Sequence, residues 1–564
     1  MTVIRRPGSS SSTAQGPALY AIFTIFVVLI IYFATVTDDV PAVDTSQKGS
    51  NPLSVNGSKN SLRHAVVQKR HQLQSALKSL TSQQLPARLA RLRDNREIVG
   101  EHLREIRSGS ETVEEILHGR RQSQRNDGSI QIEKSNKPPM QLDEIIQYLT
   151  DWIHTLHTTL VSAKHESYFG IWDAYHDLTV KTLYPWDREY LQRMPERRND
   201  GTIFLSLASY RDENCPNTIK EAYAKAKNPE KLFVGLIQQN CHANCRSGIL
   251  VGGGTEEVPP DEDCKKAFCE SESGKELCAK GHIRVLEIDE PESLGPYAAR
   301  YFASKLWYGE NWFMQTDAHM TFLQDWDAIS VDMLQKAPSD KPVLSHYPPS
   351  HLADLEKLSK HPASRLCGPV FAGSDLENQI VRLEGANDYD KVQLETPRFA
   401  PFTAAGYFVA YADFLREVPF DPFLPWIFMG EEIIMSARLW TAGYDIFSPV
   451  QNVVGHIYVR RHKPKFWESV HRAFSPGVHN PLQGMVLNRI KYQLGYPEAT
   501  KDMLKPKNLL TAVEQYSMGT VRPLETYLEL IGLDMMKKEI RYTAWCEKGT
   551  PPPGFEKYNH LYKV

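Results

Sequence analysis

The stretch that decides the fold is residues 311–319, which read NWFMQTDAH. Its first half is apolar and aromatic, which predicts a buried strand, and the strand ends on Asp317 and His319. Side chains alternate along a strand, so residues two apart project from the same side and can bind one cation. In open α/β sheets ligands bind at the carboxyl ends of strands, and a carboxylate with an imidazole suits Mn²⁺ or Mg²⁺ holding a diphosphate. The alternative is an ordinary strand end, at which Asp317 caps the next turn.

The segments around this strand alternate between strand and helix patterns. Strands are predicted at residues 202–208, 232–237 and 283–288, and helices at residues 218–227 and 295–307. This alternation predicts an α/β fold with a Rossmann-like, mixed but mostly parallel sheet and right-handed crossovers. The sequence has no G-x-G-x-x-G or P-loop motif, which argues against a dinucleotide or P-loop site.

The 564 residues have an ordinary globular composition, 41% hydrophobic and 24% charged, with a net charge of −3. Nothing in this balance indicates nucleic-acid binding. We expect five regions along the chain: a cytosolic tail at residues 1–17, a transmembrane signal-anchor helix at 18–36, a stem with a helical, coiled-coil-like segment at 37–140, a helical extension at 141–200, and the α/β domain at 201–564.

The predicted anchor is an apolar run with Arg5 and Arg6 before it and Asp38 and Asp39 after it. Its length fits a short bilayer span, and its basic side is expected to stay cytosolic, so the large C-terminal part would be luminal. A cleaved signal peptide is the alternative. We favour a spacer function for the stem, and self-association through it is the alternative.

The chain has eight cysteines, and five of them lie between Cys241 and Cys278. A luminal domain sits in an oxidising compartment, so we expect disulfides, although the sequence does not fix their connectivity. Zinc binding is the alternative, and the irregular cysteine spacings argue against it.

Polar residues after the first predicted strand are candidates for binding a nucleotide. Residues 209–212 form a predicted loop that would hold the base and ribose of a nucleotide, with Ser209, Arg211 and Asp212 as the residues that contact it. The alternative is a simple strand-end turn. Arg300, near the start of the helix predicted before the Asp317 strand, is placed to bond a phosphate or Asp317 itself, and an exposed helical arginine is the alternative.

Two later segments add acids and an imidazole. Glu431 and Glu432 open a predicted helix directly after Gly430. The helix dipole alone favours acids there, and the functional interpretation is that one carboxylate faces a sugar or acceptor hydroxyl while the other caps the helix. His456 would complete the predicted metal site, and a structural histidine is the alternative.

These segments, in this order, resemble the polypeptide α-N-acetylglucosaminyltransferase family. The D-x-D-like position of that family matches residues 317–319, its G-E-E segment matches residues 430–432, and its late histidine matches His456. The resemblance extends over residues 202–212, 214–227, 295–307, 315–327, 405–440, 455–467 and 516–534.

The resemblance implies a GT-A fold, UDP-GlcNAc as donor, a divalent cation, a polypeptide hydroxyl as acceptor and retention of the α configuration. It also implies catalytic roles for Asp317, Glu431 and Glu432, and donor binding at Gly430. The anchor and the cysteine-rich insert depart from the cytoplasmic hydroxyproline-modifying member, so a type II Golgi membrane enzyme is expected. The alternatives are a transferase that uses another UDP-sugar, such as galactose or GalNAc, and a non-enzymatic membrane-anchored scaffold.

Overall fold

The computed structural model describes residues 134–162, 167–249, 252–371, 380–386, 394–460, 462–474, 476–541 and 553–562, which all belong to one unit of the chain, Gln122–Val564. The predicted tail, the predicted anchor and all but the last residues of the predicted stem lie outside these ranges. In the described part of the chain, no helix combines the length and the apolar character that crossing a membrane requires.

Buried apolar runs form the strands, as at β1, where Phe204, Leu205 and Leu207 are inaccessible to solvent. Continuous burial of this kind is typical of strands that are covered on both faces. The strands are β1 Ile203–Tyr210, β2 Leu232–Asn240, β3 Ile283–Asp289, β4 Trp312–Asp317, β5 Met320–Phe322, β6 Pro342–Ser345, β7 Arg365–Phe371, β8 Val381–Ala386, β9 Arg398–Phe399, β10 Tyr407–Tyr411, β11 Asp445–Ser448, β12 Val454–His456, β13 Leu533–Asp534 and β14 Glu539–Ile540.

The central sheet has eight strands in the order β3-β2-β1-β4-β10-β6-β11-β9. The pairs β3/β2, β2/β1, β1/β4 and β6/β11 are parallel, whereas β10 runs antiparallel to both of its neighbours and β9 runs antiparallel to β11. The predicted mixed α/β fold with a mostly parallel sheet is therefore confirmed.

Helices connect and cover these strands. The α-helices are α1 Leu142–Ser162, α2 Tyr168–Leu178, α3 Tyr184–Gln192, α4 Cys215–Ala224, α5 Cys264–Cys269, α6 Glu272–Ala279, α7 Pro296–Ser304, α8 Trp326–Lys336, α9 Leu355–Leu358, α10 Phe414–Glu417, α11 Glu431–Thr441, α12 Phe466–Ala473, α13 Pro476–Gln493 and α14 Leu524–Leu530. A π-helical turn, Thr179–Leu183, joins α2 to α3.

Helices α1 to α3 pack onto the sheet domain through a buried carboxylate. Asp187 of α3 accepts hydrogen bonds from the hydroxyls of Tyr301 (2.9 Å) and Tyr516 (2.7 Å) and pairs with Lys305. All four residues are buried, and a buried charge is tolerated only where such partners satisfy it. This cluster joins the helical extension to the helix that precedes the Asp317 strand.

The prediction that residues 209 and 210 lie in a loop is wrong. Ser209 and Tyr210 continue β1, because they stay in parallel register with Gln238 and Gln239 of β2. β2 is correspondingly longer than predicted and ends at Asn240. A sequence pattern loses strands at such polar ends, since the register is set by a partner strand that the local pattern does not contain.

Six cysteines form the disulfides Cys215–Cys264, Cys241–Cys245 and Cys269–Cys278. The expectation of disulfides is confirmed for these residues, and zinc binding by them is excluded. The first bridge ties α4, which follows β1, to α5 of the cysteine-rich insert.

Candidate active site

A cleft of about 390 Å³ opens at the carboxyl ends of β1 and β4. Here the sheet changes direction, because β4 pairs in parallel with β1 and antiparallel with β10. Such a change in strand order leaves a crevice between the diverging connections. Asp317, the last residue of β4, lies in this cleft with a side chain that is 25% exposed and therefore open to a ligand.

Asp317, His319 and His456 form a cluster whose candidate ligand atoms all lie within 4.8 Å of one another. Nε2 of His456 is 3.0 Å and Nε2 of His319 is 3.9 Å from Oδ2 of Asp317. His456 reaches this position because β12 pairs antiparallel with β5, which places His456 opposite Met320. One carboxylate oxygen and two imidazole nitrogens suit Mn²⁺ and related divalent ions, so the residues present fit the predicted metal.

Asp212 holds His319 in this orientation. Its Oδ2 lies 2.6 Å from Nδ1 of His319 and accepts a 3.0 Å bond from Nη1 of Arg460. Metal-binding histidines characteristically bond a carboxylate through the second ring nitrogen, which turns the first toward the ion. Asp212, predicted as a contact to the nucleotide, therefore orients a residue of the Asp-His-His cluster in this structure.

Charges around the cluster keep its acids ionised. Burial raises the pKa of Asp317, but the hydrogen bond to His456 and the charge of Arg300 outweigh burial and bring this pKa below its ordinary value. Burial likewise raises the pKa of Asp212, and His319 and Arg460 bring it below the ordinary value. Both carboxylates are thus ready to bind cations at neutral pH.

Arg300 of α7 bridges two carboxylates. Its Nη2 donates a 2.9 Å bond to Oδ1 of Asp317, and its Nη1 donates to Oε2 of Glu431. Nε2 of Gln315 lies 3.4 Å from the other oxygen of Glu431. Burial raises the pKa of Glu431 and the charge of Arg300 offsets only part of that effect. The predicted bond from Arg300 to Asp317 is present, and the bond to Glu431 was not foreseen.

Glu432 faces a different pair of donors. Its Oε2 accepts a 2.6 Å bond from the hydroxyl of Tyr347, and its Oε1 accepts a 3.0 Å bond from the backbone N–H of Ala405. Burial raises the pKa of Glu432 to about 7, even though both hydrogen bonds favour the ionised form. Gly430, which precedes the two acids, has φ +96°, a backbone conformation that glycine adopts most readily.

Two of the residues predicted to bind the nucleotide do not reach the cleft. Ser209 is fully buried in β1, on the side opposite to Ala208 and Tyr210, which do line the cleft. Arg211 is fully buried and pairs with Asp261 (2.8 Å) and Glu290 (3.1 Å). These contacts give Arg211 a structural explanation, because a buried guanidinium needs carboxylate partners.

Sequence reasoning missed several residues that line the cleft, above all Tyr347, Arg460 and three exposed aromatic side chains. Tyr347 follows β6 and Arg460 follows β12, so both stand at strand ends on this side of the sheet. Proximity to His456 in the sequence was the only signal for Arg460. The exposed aromatic residues are Phe428, Tyr458 and Trp467.

Comparison with known proteins gives a family and two weak structural likenesses. No curated protein sequence matches the chain. The crystal structure of GalNAc-T7 with UDP, GalNAc and Mn²⁺ shares 14% identity over 62% of this chain and 62% of its own length, with a TM-score of 0.35. That of Staphylococcus aureus TarS residues 1–349 with UDP-GlcNAc shares 11% identity over 62% of this chain and 91% of its own, with a TM-score of 0.26. Likeness at this level defines neither a common function nor a common ligand.

The family model described as Glycosyltransferase (GlcNAc) matches residues 202–537, more than half of the 564 residues. This range begins one residue before β1 and contains the whole cleft described above. The match therefore identifies the mixed-sheet domain that carries the Asp-His-His cluster as a glycosyltransferase domain. The chain belongs to the GlcNAc glycosyltransferase family.

Proposed function

We propose that this protein transfers GlcNAc from UDP-GlcNAc to a hydroxyl of a polypeptide, on threonine, serine or hydroxyproline, with retention of the α configuration. The observation that carries this proposal is the convergence of Asp317, His319 and His456 in a cleft at the carboxyl edge of the sheet, in a chain of the GlcNAc glycosyltransferase family. A carboxylate with two imidazoles is a suitable divalent-cation site beside a nucleotide diphosphate.

Asp317, His319 and His456 would hold Mn²⁺ or Mg²⁺. A cation held there would neutralise the negative charge that develops on UDP as the bond to the sugar breaks. Arg300 fixes Asp317 from behind and Asp212 fixes His319, so this chain supplies a site whose ligands are already oriented before substrate arrives.

The acceptor proton has a route that needs no dedicated protein base. Both acids of the G-E-E segment already accept hydrogen bonds from protein groups, Glu431 from Arg300 and Glu432 from Tyr347. We therefore assign neither as a general base. In a retaining transfer without a covalent intermediate, the departing phosphate oxygen takes the proton of the acceptor hydroxyl, which the cleft must hold beside the anomeric carbon.

The donor sugar, the acceptor and the location are inferred from the sequence. UDP-galactose and UDP-GalNAc are the alternative donors, since GT-A domains of one architecture serve many sugars. A type II Golgi membrane enzyme is expected from the predicted anchor at residues 18–36, which lies outside the described residues. The family membership favours an enzyme over the non-enzymatic scaffold.

The test is hydrolysis of a panel of UDP-sugars by the full-length chain in detergent, with Mn²⁺, with Mg²⁺ and with EDTA. We expect metal-dependent turnover of UDP-GlcNAc above the other donors, and no turnover by Asp317→Ala. Preference for another donor would retain the mechanism and replace the sugar. Full activity of a folded Asp317→Ala variant would overturn the metal assignment.

A further inference from the structure

Three aromatic side chains, Phe428, Tyr458 and Trp467, stand exposed at the mouth of the cleft; we call them the aromatic rim. Their exposures are 37%, 52% and 39%, and the rings of Phe428 and Trp467 meet edge to face at 4.5 Å. Only twelve large hydrophobic side chains of the described residues are exposed, so three of them at one cleft form a cluster. Scattered exposed hydrophobics need no explanation, whereas a contiguous patch indicates binding.

The aromatic rim borders the Asp-His-His cluster, and other exposed apolar residues lie near the rim. The ring of Tyr458 packs on that of His456 with centroids 4.2 Å apart. Two further exposed apolar residues are adjacent to the rim in the chain or through a contact: Val459, 58% exposed, follows Tyr458, and Ile249, 54% exposed, donates its backbone N–H to Glu468, the residue after Trp467. Exposed apolar residues are therefore found both in the cleft and next to it, which suits an extended chain at about 3.3 Å per residue better than a compact nucleotide.

Lys465 adds a positive charge to this surface. Its Nζ lies 5.3 Å from the ring centre of Trp467 and lines the same cleft. No carboxylate of the described residues lies within ion-pair distance of this ammonium, because Glu468 is turned toward the backbone N–H groups of Lys465 and Ile249. A cation without a counter-ion beside an aromatic pair is complementary to an acidic group on a ligand.

Building on the proposed function, we propose that the aromatic rim and Lys465 bind the acceptor polypeptide, and that they select a segment with an apolar side chain and a carboxylate close to the accepting hydroxyl. Aromatic side chains are the commonest anchors of protein interfaces, and a rim charge chiefly decides between partners. The acceptor would lie across Phe428 and Trp467 and reach the metal cluster past Tyr458.

The first experiment measures transfer from UDP-GlcNAc to short threonine-centred peptides by the full-length chain. The flanking positions carry leucine or glycine and aspartate or lysine in all combinations. We expect the leucine–aspartate peptide to be preferred. Trp467→Ala and Phe428→Ala should raise its KM about tenfold and should change the KM for UDP-GlcNAc by a much smaller factor. Met536→Ala, which truncates a side chain that is 70% exposed and lies outside the cleft, is the matched control and should change neither constant.

The second experiment exchanges the charges. Lys465→Glu should weaken transfer to the aspartate peptide and improve transfer to the lysine peptide, each by several-fold. A merely structural lysine would not produce this reversal. A rise in the KM for UDP-GlcNAc in Lys465→Glu or Trp467→Ala, with the peptide preference unchanged, would overturn the inference and assign the surface to the donor.

Failure of this inference differs from failure of the proposed function. Hydrolysis of UDP-GlcNAc with transfer to no peptide of the panel, or with equal transfer to all, would overturn the acceptor surface and leave the donor chemistry intact. Loss of both hydrolysis and UDP binding in a folded wild-type chain would overturn the proposed function itself.

Discussion

Replacing Asp212 should weaken the metal site without touching any of its candidate ligands. Asp212 is 6% exposed, and its Oδ2 serves Nδ1 of His319 at 2.6 Å and Arg460 at 3.0 Å. Asp212→Ala removes the group that orients the imidazole, so Nε2 is no longer directed at Asp317. Asp212→Asn keeps an oxygen that accepts from His319 and removes only the charge.

Loss of a carboxylate behind a metal-binding histidine typically lowers metal affinity by about 10- to 100-fold, which corresponds to about 1.4 to 2.7 kcal/mol. We expect Asp212→Asn at the lower limit, because the hydrogen bond survives in neutral form, and Asp212→Ala at the upper limit. Arg460→Gln is the control, since it removes the ion pair to Asp212 and the hydrogen bond to the carbonyl of Tyr210 but leaves the contact between Asp212 and His319 in place. It should lower the affinity less than Asp212→Asn does, since His319 keeps its carboxylate partner.

The affinity is measured in two ways on the full-length chain: by calorimetric titration with Mn²⁺, and by the Mn²⁺ concentration that gives half-maximal hydrolysis of UDP-GlcNAc. Thermal unfolding of each variant checks that the fold is retained. Asp212→Ala with a wild-type melting temperature and a Kd for Mn²⁺ within threefold of wild type would refute the role of Asp212. Tight binding in all three variants and in Asp317→Ala would place the metal elsewhere.

Three further predictions concern a cleft acid, a glycine and a buried ion pair, each measured by denaturant unfolding. Burial raises the pKa of Glu432 to about 7 from an ordinary 4.5, so the folded state binds this proton more tightly and the free energy of unfolding falls as the pH rises through that interval. Glu432→Gln should reduce that fall by about 1 to 3 kcal/mol, and parallel pH profiles would contradict the assignment. Gly430→Ala should lower the free energy of unfolding by about 1 to 3 kcal/mol, since the added Cβ would lie 2.8 Å from Cδ1 of Ile490 at φ +96°. Gly484→Ala in α13, where a Cβ would have nothing within 4 Å, should instead raise it by up to about 1 kcal/mol. A change in the same direction for both variants would refute the steric argument. Asp421→Ala leaves the fully buried Arg489 without its carboxylate partner and should lower the free energy of unfolding by about 3 to 5 kcal/mol. Asp413→Ala, which breaks an exposed pair with Arg197, should lower it by at most about 1 kcal/mol. Similar losses in the two variants would show that burial does not set the cost.

The strand that ends in Asp317 could be predicted because its information is local: an apolar run followed by polar residues defines it. His319 was predicted to share a strand face with Asp317, but it lies in the bend between β4 and β5, so strand alternation does not place it. The motif does not show how His456 comes to lie beside Asp317. That residue depends on the pairing of β12 with β5, a contact between segments more than 130 residues apart.

The nucleotide contacts were harder to predict for a related reason. Ser209 and Arg211 look like loop residues in sequence, but Ser209 continues a strand and Arg211 is buried against Asp261. Asp261 belongs to the cysteine-rich insert, which the sequence alone does not place beside β1. Polar residues after a strand therefore mark the correct edge of the sheet, while the partner that each one meets is decided by distant segments.

The two acids of the G-E-E segment act on the metal cluster through intermediaries, and the contacts explain how. Glu431 holds Arg300, which donates to Oδ1 of Asp317 and so leaves Oδ2 facing both imidazoles. Glu432 holds the backbone N–H of Ala405, and the next residue, Gly406, lies so close to Asp317 that a Cβ there would be 3.1 Å from Oδ2. We infer that both acids are positioning residues: Glu431 holds Arg300, whose charge helps to keep Asp317 ionised, and Glu432 fixes the backbone that packs against Asp317. Helix α11 thus helps to position the Asp-His-His cluster, although none of the three candidate ligands belongs to α11.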